Sequence, residues 1–204
     1  MIPPTTFALF AAASLAMVLI PGPNHLYITA RGLAQGRAAG LASAFGVEVG
    51  TLMHIAAAAA GLSYVIAQSA TLFAVVKWAG AAYLIYLGIR ALVGGQATAQ
   101  APKPQPLRAV FLEGVLVNLL NPKTVLMFLA FLPQFVDPRA GSPALQVVLL
   151  GLTLLLLGLI SDIVYALTAG ALAHRLTRAA RTMRYASGVV YLGLGLATVL
   201  TARQ

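Results

Sequence analysis

Apolar residues fill this chain in long blocks, all but the second closed by a short stretch carrying Arg, Lys, Pro or Gly. The blocks lie at about Thr6–Ala30, Ala39–Ala67, Leu72–Val93, Ala109–Phe135, Ala144–Leu172 and Met183–Thr201. None alternates polar with apolar positions, and each far exceeds the roughly 9–11 residues of a membrane-barrel strand. A helix needs about 20 apolar residues to cross a bilayer. The pattern therefore predicts an all-α integral membrane protein with six transmembrane helices. Composition agrees: 60% of residues are hydrophobic and 8% are charged, against about 25% charged in soluble domains. At this length six crossings leave no room for a soluble domain, so 1–204 reads as a single transmembrane transporter domain.

Charge sets the expected orientation, since Lys and Arg favour cytoplasmic connections. The first, third and fifth connections hold Arg31 and Arg37, then Arg90, Lys103 and Arg108, then Arg175, Arg178, Arg181 and Arg184. The opposite side holds Arg139 and Arg203, while Lys77 and Lys123 lie inside blocks. Nine against two places both termini outside. The formal charge of +9 is spread between apolar blocks, which argues against a nucleic-acid partner. No Lys or Arg precedes the first block, which argues against a cleaved leader. With no cysteine, disulfides and thiolate metal sites are excluded.

The middle of the chain, "GGQATAQAPKPQPL", reads as a flexible linker at about 95–107 between halves 1–94 and 108–204. The halves resemble each other. "KWAGAAYLIYLG" in the third block aligns with "RYASGVVYLGLG" in the sixth, so that Lys77 meets Arg184 and Tyr83 meets Tyr191. The first and fourth blocks are interrupted by "LIPGPN" and "LLNPKT". Three helices per half force the second half to insert in the opposite sense. The expectation is a 3+3 inverted repeat with helices 1 and 4 interrupted, an arrangement that in secondary transporters marks the substrate site.

Pro21 and Pro23 each remove a backbone donor, and Gly22 between them permits unusual dihedrals. Backbone groups freed this way are tolerated in a bilayer only against protein or a water-filled cavity. Asn24 is expected to cap the following half-helix, whose free amides suit a carboxylate. Asn121, Pro122 and Lys123 offer the same device from the other half. A charge at that depth costs at least about 2.5–3.5 kcal/mol, so Lys123 is expected to meet a substrate carboxylate or an internal acid.

Other ionisable groups inside blocks are few. Asp162, with Tyr165 one turn later, and Glu48 are candidate proton carriers, because burial disfavours a charged carboxylate. Glu113 is a weaker candidate, close enough to Arg108 to pair with it. His54 is expected either to touch substrate or to bond a neighbouring helix. His25, His54 and His174 lack partners at metal-ligand spacing, so no metal or cofactor is expected. Gly40, Ser43, Ala44 and Gly50 allow close helix approach. Such small-residue faces serve a homodimer or the fold's own interior equally well.

"PGPNHLYITARGLAQGRAAGLASAFGVEVG" followed by "FLEGVLVNLLNPKTVLMFLAFLPQFV" resembles the LysE/RhtB family of bacterial amino-acid exporters over nearly the whole chain. The resemblance implies export of amino acids or close derivatives across the inner membrane, coupled to protons and without ATP. It carries the family's motifs onto Pro21, Gly22, Pro23 and Asn24, and onto Asn121, Pro122 and Lys123. Glu48 departs from the pattern, where members often carry a small or apolar residue. The alternatives are a passive channel or membrane scaffold, and a membrane enzyme. Against an enzyme stands the absence of G-x-S-x-G, H-E-x-x-H and cysteine.

Overall fold

The computed structural model describes residues 2–68 and 103–201, with isolated positions between them. Side chains are described for 2–61 and 103–169 and at a few isolated positions elsewhere. The predicted third helix, and its likeness to the sixth, lie outside these side chains.

The first apolar block is two helices, α1 (Pro4–Leu19) and α2 (Pro23–Gln35), bent by 46° at the Pro-Gly-Pro break. Gly36, at φ 83°, turns the chain within one residue into α3 (Arg37–Gln68). Such a positive φ strains residues other than glycine. The fourth block repeats the design of the first. Helix α4 (Leu107–Leu119) stops at Leu120, and α5 (Pro122–Leu126) restarts the run. A π turn at Met127–Phe131 and a 3-10 turn at Leu132–Phe135 complete it. This pair also bends by 46°. Equal bends at both Pro-containing breaks follow from the same cause, a lost donor and a carbonyl clash one turn back.

A short 3-10 turn, Pro138–Ala140, leads into α6 (Pro143–Thr201). Here the structure corrects the sequence reading. The connection expected between the fifth and sixth blocks, with its four arginines, is helical, and one helix spans both blocks. The physical reason lies in "AHRLTRAARTMR": it has charge but neither Pro nor Gly, so nothing in its backbone chemistry stops a helix. Among the described residues, two helices are long and apolar enough to cross a membrane, or four if each bent pair is one span.

Helix α3 packs along α4 and α6. Close approach is bought by small residues. A Cβ on Gly40 would meet the backbone of Ala166 at 3.2 Å, and one on Gly114 would lie 2.7 Å from Ser43 O. The apolar core gathers at the α1 end, where Phe10 stacks on Phe131 and both meet Phe135 edge to face, with centroids 5.0–5.3 Å apart. That cluster ties the first half-helix to the turns that follow the second break. Leu9, Leu19, Leu26, Leu120, Leu156 and Ile160 are exposed, as expected of surfaces facing lipid tails rather than water.

Candidate functional site

The two breaks meet. Asn121 Nδ2 donates to Asn24 Oδ1 at 2.8 Å, and Asn24 Nδ2 donates to Asn118 Oδ1 at 3.2 Å. Asn118 continues the chain of amides into α3, donating to Val47 O and, at 2.8 Å, to Thr51 Oγ1. A line of carboxamides therefore ties α2, α4, α5 and α3 together at the level of both interruptions. Buried amides in low dielectric hold such a geometry only when their partners are present.

Lys123 closes the contact from the other side. Its Nζ donates to Ile20 O at 2.6 Å and to Met17 O at 2.7 Å. These carbonyls lie at the end of α1, which Pro21 and Pro23 leave without helical donors to satisfy them. The ammonium caps the negative end of one half's helix from the other half's break. The sequence reading gave Lys123 a carboxylate partner. The structure gives it two carbonyls, and Asp162 lines the same cavity. Gly22 keeps the approach open, since a Cβ there would lie 3.1 Å from Lys123 Cδ.

The caps also differ from expectation at one break. Asn121 does cap α5, its side chain accepting from Lys123 N at 3.0 Å. Asn24 does not cap α2. Gly22 holds that position, and Pro23 opens the helix, which places Asn24 inside the first turn where its amide reaches across to Asn118 and Asn121. The Gly22 N–H donates instead to His25 Nδ1 at 3.2 Å.

His25 then carries the network to α6. Because Nδ1 accepts, the ring proton sits on Nε2, 3.2 Å from Asp162 Oδ1 and 3.2 Å from Ser161 Oγ. The ring stacks on Tyr165 with centroids 4.2 Å apart. Glu48 approaches from α3. It is 7% exposed, and its Oε2 has no hydrogen-bond partner. Gly158 makes its place on α6, for a Cβ there would lie 2.8 Å from Glu48 Oε1.

Beside these groups lies a half-open cavity of about 70 Å³. At about 10–15 Å³ per water, that is room for several waters or the head of a small zwitterion. Gly22, Asn24, Glu48, Asn121, Lys123 and Asp162 line its polar side. Val18, Met127, Phe128 and Leu154 line its apolar side. The π turn supplies Met127 and Phe128, a local distortion often found where a helix serves a site.

Of the residues singled out from sequence, the structure brings Gly22, Asn24, Glu48, Asn121, Lys123 and Asp162 to this one cavity. Pro21, Pro23 and Pro122 shape the breaks beside it. Tyr165 stands behind His25 and does not line the cavity. His54 is also outside it, stacked on Phe128 at 5.5 Å with Nε2 3.4 Å from Asn118 O. Glu113 lies elsewhere. Its partner is Arg31, not Arg108, and Tyr27 donates to it at 3.2 Å. Arg31 is 1% exposed on α2, so it belongs to the helix packing and not to a loop. Sequence reasoning missed Asn118, Thr51 and Ser161, and it gave His25 no partner. The spacing Asn118-x-x-Asn121 was a signal available for the first of these. Among the described residues, no cluster of His, Asp and Glu could hold a metal ion.

The chain is 31% identical to an uncharacterized membrane protein of Pseudomonas aeruginosa, over 98% of this chain and 85% of that one. It is 31% identical to an uncharacterized membrane protein of Bacillus subtilis, over 91% of this chain and 94% of that one. A leucine efflux protein of Klebsiella pneumoniae is 32% identical, over 71% of this chain and 70% of that one. No solved structure matches. The sequence model of the LysE type translocators matches residues 15–202. With that match over most of its length and with relatives above 30% identity, the chain belongs to the LysE type translocator family.

Proposed function

We propose that this protein is a secondary exporter of amino acids or close derivatives, working by proton antiport across the bacterial inner membrane. The observation that carries the reading is the meeting of two interrupted helices at one cavity that Lys123, Glu48 and Asp162 all line. Interrupted helices at such a meeting suit a substrate that carries both charges. The likeness to a leucine efflux protein supports an amino acid as that substrate.

In this mechanism the substrate carboxylate lies against Lys123. A lysine ammonium has three donors. Two are committed to Met17 and Ile20, and the third is available to the cavity. The apolar side chain lies toward Met127, Phe128 and Leu154. Glu48 and Asp162 exchange the proton. The two halves are inverted repeats that rock about the cavity, an arrangement supported by the equal 46° bends. The Lys and Arg distribution supports an orientation with both termini periplasmic.

Proteoliposomes loaded with labelled leucine test this. Efflux should accelerate several-fold under an inward-directed proton gradient and should saturate with internal leucine. Efflux no faster than from protein-free liposomes contradicts it. A channel would give a rate that rises linearly with concentration.

A further inference from the structure

The cavity holds two acids, and one oxygen of the pair is left without a hydrogen-bond partner. Asp162 is 3% exposed and faces His25 Nε2. Glu48 is 7% exposed, lines the same cavity and leaves Oε2 with no partner. Both carboxylates line the one cavity, and Gly158 lets Glu48 sit against the same helix that carries Asp162. The other titratable groups facing this pair are His25 from α2, Lys123 from α5 and Tyr165 from α6. Lys123 has already turned two of its donors to the carbonyls of α1. Two neighbouring carboxylates in low dielectric do not both stay charged without a cation between them. A buried acceptor with no partner is likewise costly unless something comes to fill it.

We propose that Glu48 and Asp162 form a single cation site, occupied in turn by a proton and by the ammonium group of the substrate. This rests on the transport reading above and gives it a coupling rule. Either occupant supplies the missing positive charge, and the two cannot be bound together. Arrival of the ammonium group expels the proton, and arrival of a proton expels the ammonium group. Exchange therefore follows from competition at one place. Neither a separate proton site nor a signal between distant sites is needed. His25 fixes Asp162 by its Nε2–H, which leaves Glu48 as the mobile partner.

The test uses the purified full-length protein in detergent and weak buffer, with a pH-sensitive dye. Leucine is the probe, and 4-methylpentanoate, which has the same carboxylate and side chain but no ammonium group, is the control. The wild-type protein should release up to one proton per leucine bound. Its leucine Kd should weaken by up to tenfold per unit of acidification, the limit for one exchanged proton. 4-Methylpentanoate should release none. Glu48→Gln should weaken leucine binding at least tenfold and make the remaining Kd independent of pH, while Glu48→Asp should keep the pH dependence. Saturable leucine counterflow without proton release, or with the same Kd at every pH, overturns the shared site and leaves the transport reading standing. If no member of an amino-acid panel shows saturable counterflow, the transport reading falls and the shared site falls with it. Should Glu48→Gln fail to fold, the wild-type proton count decides alone.

Discussion

Lys123 is the residue on which the two breaks depend. Its ammonium satisfies two carbonyls that the prolines have stranded. Lys123→Met keeps the volume and removes those bonds. The expected result is a stability loss of about 1–3 kcal/mol per stranded acceptor set, read as a lower unfolding temperature, with transport down tenfold or more. Gly158→Ala is the smallest probe of the acid side. Its methyl would intrude on Glu48 Oε1, at 2.8 Å for the Cβ, and should weaken substrate affinity several-fold with little change in the unfolding temperature. Residues of this kind differ in how far the sequence reveals them. Pro21, Pro23, Pro122 and Lys123 stand out because each violates an apolar helical run. Asn118, Thr51 and Ser161 do not, because a small polar residue on a helix gains meaning only once the facing helix is known. Arg31 misled for a related reason. An Arg near the end of an apolar block looks like a loop residue, and only the packing shows it buried against Glu113.

Elements carry a second kind of legibility. Both interruptions were readable from Pro, Gly and Asn, and both appear as 46° bends. The connection between the last two blocks rests on a gap between apolar runs and on four arginines, and the backbone there stays helical. Charge placement biases how a chain crosses a membrane, whereas helix ends need a residue that stops hydrogen bonding or supplies a cap. Capping at the second break gives a direct test. Asn121→Ala removes the acceptor for Lys123 N and the donor to Asn24. Loss of the cap alone costs about 1 kcal/mol, so unfolding measured by circular dichroism should show at least that. On the same scale, Glu113→Gln leaves the Arg31 guanidinium buried with a weaker partner. The cost should be about 1–2 kcal/mol, below the roughly 3–5 of a fully buried pair, because the Glu113 side chain is 41% exposed. The cavity and its leucine binding should be unaffected, since that ion pair lies outside the lining.

The whole molecule joins these parts into one proposition: two half-helices from different halves of the chain meet at a cavity that senses both charges of an amino acid. The family membership rests on residues 15–202, which include both breaks and both acids. The measurement that tests the proposition most directly is labelled-leucine counterflow in proteoliposomes, run side by side with wild-type protein and Lys123→Met. Counterflow that saturates for the wild type, and falls at least tenfold when Lys123 no longer bridges the breaks, is the predicted result. Equal counterflow in the two proteins, or wild-type exchange no faster than in protein-free vesicles, would contradict it.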